Sequence, residues 1–154
     1  PWHQDGQYWP IRPIATSTVW IAVDEANEEN GCLEFIPGSH KTKTTLSHQT
    51  NNDPRYNLNQ ELNEDIDPSN AFKLCLEPGQ MSLHDVFLVH GSKENKSDKP
   101  RRGMTMRFMP TTSYYDRELA KKIGQENMID HSERTLFLMS GIDQSKKNDF
   151  IQRK

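Results

Sequence analysis

Nowhere in its 154 residues does this chain carry an apolar run approaching the roughly 20 residues that a membrane-crossing helix needs, so no membrane partner is expected. Cysteine is scarce too. Cys32 and Cys75 each sit inside an apolar run and share no zinc-type spacing, which argues for two buried free thiols in a reducing, cytoplasmic setting rather than a disulfide framework. There is no basic stripe, and a formal charge of −3 with a pI near 6.1 gives no reason to expect nucleic acid as a partner. Apolar residues make up only 32% of the chain, and the mean hydropathy is −0.92. Trp, Phe, Leu and Val nevertheless cluster in discrete runs, so the polar excess reads as long loops around one core, which is what this length supports. A starting Met is absent and the first candidate ligands appear at the third residue, so a longer parent is expected, with any targeting signal ahead of Pro1.

What is present is a series of short apolar segments divided by turn residues. Trp9-Pro10-Ile11-Arg12-Pro13 contains two prolines, which fix φ and donate no backbone hydrogen bond, so an extended aromatic loop roofing a site is expected there. Residues 15–24 are dense in β-branched and aromatic side chains, with Thr16, Thr18, Trp20 and Ala22 on one face and Ser17, Val19, Ile21 and Val23 on the other. Neither face is charged, which predicts a strand covered on both sides. The Asn30-Gly31 turn signal predicts that residues 32–36 fold back on this strand as a hairpin, closed by Pro37-Gly38-Ser39-His40. Residues 41–70 show no sustained periodicity and read as a surface excursion with one helical turn near 59–65. Strands are predicted over 72–77, 81–89 and 101–109, a short helix over 116–124 with an Asp start and a Gly stop, and one more apolar segment over 136–139. Many short strands with little helix fit an all-β double-sheet barrel of jelly-roll or cupin type.

Side chains two apart on a strand project from one face, so His3 and Asp5 are expected to converge on a shared point. An imidazole and a carboxylate so placed can take two adjacent corners of an octahedral ion. A second His from a distant strand would complete the two-His, one-carboxylate facial triad of non-haem Fe(II) oxygenases. His90 is the candidate, at a strand end where Gly91 permits close approach of a ligand. His84 shares its face by parity and is the rival; its plainer reading is a hydrogen-bonded core histidine. Alternation along the last strand sets Arg101, Gly103, Thr105 and Arg107 on one face and Met104, Met106 and Phe108 on the other. If the polar face lines the barrel, Arg101 can grip a carboxylate by a two-pronged charged hydrogen bond, with Thr105 adding a hydroxyl. Otherwise the strand is a solvated edge whose arginines discourage aggregation.

In combination and in this order, His3-Gln4-Asp5, Asn30-Gly31-Cys32-Leu33, Ile36-Pro37-Gly38-Ser39-His40-Lys41, His90-Gly91-Ser92, Asn95 and Pro100-Arg101-Arg102 resemble the phytanoyl-CoA dioxygenase family of Fe(II)- and 2-oxoglutarate-dependent oxygenases, over roughly residues 1–110. The resemblance implies a double-stranded β-helix in which His3, Asp5 and His90 hold Fe(II). It implies that Arg101, eleven residues beyond the distal His, grips the far carboxylate of 2-oxoglutarate, and that Trp20 and Ser92 add cosubstrate contacts. O2 would be the second cosubstrate, succinate and CO2 would leave, and a C–H bond of a small organic or acyl substrate would be hydroxylated. Related halogenases replace the ligand carboxylate with a small residue, so Asp5 favours hydroxylation. Tyr8, Trp9 and Arg12, with the 41–70 excursion, are the candidates for shaping the pocket of a small-molecule substrate.

Everything that the family places before the His-x-Asp strand is missing from this sequence. Residues 1–110 are therefore expected to be the C-terminal part of the jelly-roll domain, incomplete at the N-terminus, and 111–154 an extension whose short helix packs on the barrel. Apolar surface should lie open near Met104, Met106 and Phe108. Two other readings stand beside the oxygenase: a non-catalytic barrel binding a metal or small carboxylate, and a metal-independent structural domain.

Overall fold

The computed structural model describes residues 1–56, 58–127 and 130–152. In chain order the strands are β1 (Ile11–Arg12), β2 (Ser17–Ala22), β3 (Leu33–Phe35), β4 (His48–Thr50), β5 (Gln60–Leu62), β6 (Phe72–Leu74), β7 (Met81–Asp85), β8 (His90–Ser92), β9 (Gly103–Phe108), β10 (Tyr114–Tyr115), β11 (Phe137–Leu138) and β12 (Ile151–Gln152), and α1 spans Arg117–Asn127. The chain divides into two compact units, one of Pro1–Gln7 with Ser17–Arg107 and the other of Tyr8–Thr16 with Phe108–Lys154.

The first unit holds two three-stranded sheets, ordered β7-β2-β9 and β6-β3-β8, with the small β4-β5 pair beside them, the strand-rich pattern of a jelly roll. β2 is central because its inward residues Thr18, Trp20 and Ala22 are nearly water-free, and Trp20 and Ala22 build a core with Ala26 and Cys32 against which Leu33 and Leu76 pack. Its outward face departs from expectation. Val19 is buried between its neighbours, but Val23 is open, as are Met81 and Leu83 on β7. The β9 side chains expected to be open are so: Met104 is 49% exposed, Met106 38% and Phe108 42%.

The predicted hairpin does not form. β2 pairs with β7, in the register Thr18↔His84 and Trp20↔Ser82, while β3 pairs with β6 and β8 in the other sheet. Asn30 is the reason. Its side chain accepts from the Asn27 amide at 2.8 Å and donates to the Glu25 carbonyl at 2.8 Å, building a wide turn, and Gly31 at φ +76° lies so close to the Lys93 carbonyl that any Cβ would clash. The predicted 81–89 strand breaks at Asp85, whose Oδ1 accepts from the Phe87 amide and whose carbonyl accepts from Leu88, an Asx-type turn. No helical turn forms near 59–65. Gln60 and Leu62 are buried with Glu61 between them, a period of two, and β5 pairs with β4. Cys75 is exposed, because it directly follows the edge strand β6, so only Cys32 is the buried thiol expected of both.

In the second unit β1 pairs with β10, so Ile11-Arg12 is a strand between its prolines rather than an open loop. Ile11, Trp9, Tyr115 and Ala120 form its core, with Trp9 stacked on His131 at 5.4 Å. Asp116 starts the helix as expected, its carboxylate accepting from the Leu119 amide at 2.9 Å. Gly124 does not stop it; an interior glycine costs only about 1 kcal/mol, less than the packing of a helix anchored by buried Ala120 returns. No helix among the described residues is long and apolar enough to cross a membrane.

Candidate metal centre

His3 meets His90, the first residue of β8, through an isolated antiparallel bridge. The His3 amide donates to the His90 carbonyl at 2.9 Å and the His90 amide to the His3 carbonyl at 3.0 Å, which sets the two imidazoles 4.2 Å apart. Each ring then uses Nδ1 on a backbone carbonyl: Pro1 for His3 at 3.0 Å and Leu88 for His90 at 2.8 Å. A carbonyl can only accept, so Nδ1 carries the proton and Nε2 presents its lone pair. Both Nε2 atoms face Asp5 Oδ1, at 3.9 Å from His3 and 3.8 Å from His90.

Asp5 reaches this point from a 3-10 turn, Asp5–Gln7, and not from the extended strand that its spacing from His3 predicts. The Gln7 amide turns back to the Gln4 carbonyl, leaving Asp5 with no exposed surface. A carboxylate so buried needs partners. Its Oδ2 accepts from Thr18 Oγ1 at 2.9 Å and from Arg107 Nη2 at 2.9 Å, which leaves Oδ1 as the oxygen turned to the histidines. Burial first, then the neighbouring His90, pushes the His3 imidazole down to about 3 against the pull of Asp5, so the ring is neutral at physiological pH. The ligand atoms of His3, Asp5 and His90 all lie within 4.8 Å of one another. Two imidazoles whose Nδ1 atoms are held by backbone carbonyls and one carboxylate whose second oxygen is already held fit a divalent ion with open coordination positions.

Gln4, between His3 and Asp5 in sequence, is wholly buried and fastens the excursion to the site. Its amide group donates to the Phe87 carbonyl at 2.7 Å and the Thr44 carbonyl at 3.2 Å, accepts from the Leu46 amide at 2.7 Å, and its backbone amide donates to His48 Nε2 at 3.1 Å. Ser39 Oγ, in the Pro-Gly-Ser-His turn, accepts from the Val89 amide at 2.9 Å and so steadies the residue before His90.

Two residues along β8 from His90, about 7 Å of strand, Ser92 points to the same face. Arg101 Nη2 reaches its hydroxyl at 3.5 Å, and the guanidinium lies 5.9 Å over the Trp20 ring. No carboxylate among the described residues pairs with Arg101, and burial lowers its pKa. Gly103 makes this arrangement possible: a Cβ there would stand 2.3 Å from Trp20 Cζ2. Thr105 shares the inward face and is exposed.

The structure thus gathers His3, Asp5 and His90 at one point and Arg101, Ser92 and Trp20 at another. His84 lies beside the cluster, its ring 5.0 Å from that of His90; burial first, then His90, pushes it down to about 4, and its Nδ1 has no hydrogen-bond partner. Gly91 does not open space for a ligand as expected: the Pro1 carbonyl and Trp2 ring occupy it, because 91 faces away from 90 and 92. Tyr8, Trp9 and Arg12 belong to the second unit, where Trp9 is a core residue and Arg12 donates to the Ile11 carbonyl at 2.8 Å. Sequence reasoning missed Thr18, Arg107, Gly103 and Gln4. The alternation that singled out Arg101 also placed Gly103 and Arg107 on its face, and that signal could have found them.

Residues 1–103 match the family model of phytanoyl-CoA dioxygenase. A phytanoyl-CoA dioxygenase domain-containing protein 1 homolog from Caenorhabditis briggsae is 37% identical over 114 residues, 70% of this chain and 39% of its own length. EvdO2 from Micromonospora carbonacea var. aurantiaca, solved in complex with 2-oxoglutarate, is 32% identical with a TM-score of 0.58 and matches 70% of this chain and 43% of its own. The non-haem monooxygenase ThoJ, 22% identical with a TM-score of 0.68, shares the fold over 99% of this chain and 49% of its own. The chain therefore spans less than half the length of each of these three proteins.

Proposed function

The chain belongs to the phytanoyl-CoA dioxygenase family, and on that premise we propose that the protein is an Fe(II)- and 2-oxoglutarate-dependent dioxygenase that hydroxylates a C–H bond of a small organic or acyl substrate. The observation that supports this most directly is the meeting of His3, Asp5 and His90 within 4.8 Å, together with a partly buried Arg101 that no carboxylate among the described residues pairs with and that reaches Ser92, two residues along β8 from His90. In this reading residues 1–110 are the C-terminal part of the oxygenase domain and 111–154 its extension.

His3 and His90, through the Nε2 atoms that face Asp5, and Asp5, through Oδ1, would hold Fe(II). Thr18 and Arg107 hold Asp5 Oδ2 so that the carboxylate stays in one orientation through the reaction. Arg101, with Ser92, takes the far carboxylate of 2-oxoglutarate by charge-assisted hydrogen bonds, and Trp20 forms a dry apolar floor that strengthens them. A ferrous centre with 2-oxoglutarate and O2 supplies the oxidising chemistry, yielding succinate and CO2. The side chains of this chain position the cosubstrate, neutralise charge and exclude water.

The test is anaerobic addition of Fe(II) and 2-oxoglutarate to the full-length protein. The expected result is a weak visible charge-transfer band, followed by succinate when O2 is admitted. Arg101→Ala should retain Fe(II) and weaken 2-oxoglutarate about 10- to 100-fold, the loss of hydrogen bonds to a charged group worth about 1.5–3 kcal/mol. Absence of both band and succinate overturns the oxygenase reading in favour of a binding barrel or a structural domain.

A further inference from the structure

Both cysteines of the chain adjoin the sheet that carries His90, Cys32 directly before β3 and Cys75 directly after β6. β3 and β6 pair antiparallel with Leu33 opposite Leu74, and one step further along the same register sets Cys32 opposite Cys75. Residues directly opposed across an antiparallel pair have Cα atoms about 4.5–5.5 Å apart and side chains on one face, inside the range that a disulfide spans. The Cys32 amide donates to the Asn27 carbonyl at 2.8 Å instead of to β6, as in the non-hydrogen-bonded kind of cross-strand pair, where side chains approach most closely. Together with burial, the Cys75 thiol is close enough to raise the pKa of Cys32. Neither is bridged; Cys32 is 2% exposed, while Cys75 stands on the open edge of the sheet.

We propose that Cys32 and Cys75 are a reversible redox pair that closes a cross-strand disulfide when a small disulfide oxidant of the glutathione type is present. The Cys75 thiolate attacks one sulfur of the oxidant, forming a mixed disulfide and releasing one small thiolate. Cys32 then loses its proton to water, its sulfur attacks that of Cys75, and the second small thiolate leaves. Two protein thiols are oxidised, one oxidant disulfide is reduced, and both protons end on the released thiols. Exposure makes Cys75 the entry point. Burial, the adjacent Cys75 thiol and the charges of Glu34 and Glu28 push the Cys32 thiol up to about 11, which makes its attack the slow step.

The pair lies beside the site. Cys32 packs with Trp20 and Ala22, and Trp20 carries the Arg101 guanidinium. Drawing the Cys32 sulfur toward the sheet edge moves the floor on which Arg101 rests. Closure is therefore expected to weaken 2-oxoglutarate, a consequence that rests on the function proposed above, whereas the disulfide itself does not.

The experiment incubates the full-length protein with glutathione disulfide and maps cysteines by mass spectrometry. A linked Cys32–Cys75 peptide pair with the loss of two hydrogens, reversed by dithiothreitol and absent in Cys75→Ser, is the expected result. Tryptophan fluorescence should shift with closure in the wild type and not in Cys75→Ser, and 2-oxoglutarate affinity should fall about fivefold or more. Glutathione retained on Cys75 beside a titratable Cys32, or two thiols that stay reduced, overturns the pair. A disulfide that closes with unchanged affinity overturns the coupling to Arg101. If the reduced protein binds no 2-oxoglutarate at all, the oxygenase reading falls while the mapped disulfide stands.

Discussion

One face of the β7-β2-β9 sheet carries Thr18, Trp20, His84, Gly103 and Arg107; the other carries Val19, Ile21, Met81, Leu83, Met104 and Met106. The strands are the same, and a period of two separates the faces. On the inner face an identity is dictated by an atom a few ångströms away, as Arg107 is by Asp5 Oδ2 and Gly103 by the Trp20 ring. On the outer face the side chains are merely apolar, and most are open. The contrast teaches that the sheet is specified from one side. Substitutions inward should fail by geometry, and their outward neighbours should be tolerated.

The largest difference is expected between Arg107 and Met106. Arg107→Met takes the guanidinium away from Oδ2 of the wholly buried Asp5 carboxylate, and removing one partner of a buried ion pair costs about 3–5 kcal/mol. Fe(II), by neutralising the same carboxylate, should recover part of that loss under anaerobic conditions. Met106→Gln should stay within about 0.5 kcal/mol. Chemical denaturation with and without metal measures both; equal effects at 106 and 107 would remove the distinction between the faces.

A second pair is Gly103→Ala against Met104→Ala. The methyl at 103 meets the Trp20 ring at an impossible 2.3 Å, so either the ring or β9 must shift, at a cost of about 1–3 kcal/mol, and the floor beneath Arg101 shifts with it. Met104 is half open and its truncation should cost under about 1 kcal/mol. Thermal melts rank the two, and near-ultraviolet dichroism of the tryptophans should change for 103 only.

How far the sequence disclosed the molecule follows from the same contrast. The jelly-roll class was legible because strands and turns advertise themselves through period two and through Gly, Pro and Asn. The convergence of His3, Asp5 and His90 was legible through residue type and order, although the local reasoning was wrong at Asp5, where a turn and not a strand aims the carboxylate. The β2–β3 hairpin was misread because Asn-Gly signals a turn but not its width, and here the Asn30 side chain widens it. Gln4 escaped notice because its four partners come from residues 44–48 and 87, which no local pattern connects to residue 4.

Acid should act through buried histidines, of which His84 is the one on the inner face. His84 titrates near 6.5 in the unfolded chain and is pushed down to about 4 by burial and by His90; His3 is pushed further, to about 3, and burial also lowers His48. Between about pH 6.5 and 4 the unfolded chain therefore binds protons that the folded chain refuses, so stability is present above this window and lost as pH falls through it. The metal-free protein should melt lower at about pH 5 than at about pH 7. His84→Gln should flatten that slope, whereas an outer substitution such as Met81→Gln should leave it unchanged.

The smallest effect is the one that sharpens the comparison most. Leu83, 65% exposed on the outer face, lies opposite Val19 in the β2–β7 register. If that face is open to water in the full-length protein, Leu83→Lys removes apolar surface from solvent, changes stability by no more than about 0.5 kcal/mol and reduces binding of a hydrophobic dye. If instead another segment covers it, a buried unpaired ammonium results, and the loss should exceed about 2 kcal/mol. Dye binding and a denaturation curve on this one variant therefore decide whether the open face is a surface or half of an interface, while the triad, held at Asp5 by Thr18 and Arg107 of the inner face, and Arg101, over Trp20, should keep their metal and cosubstrate affinities in the first case.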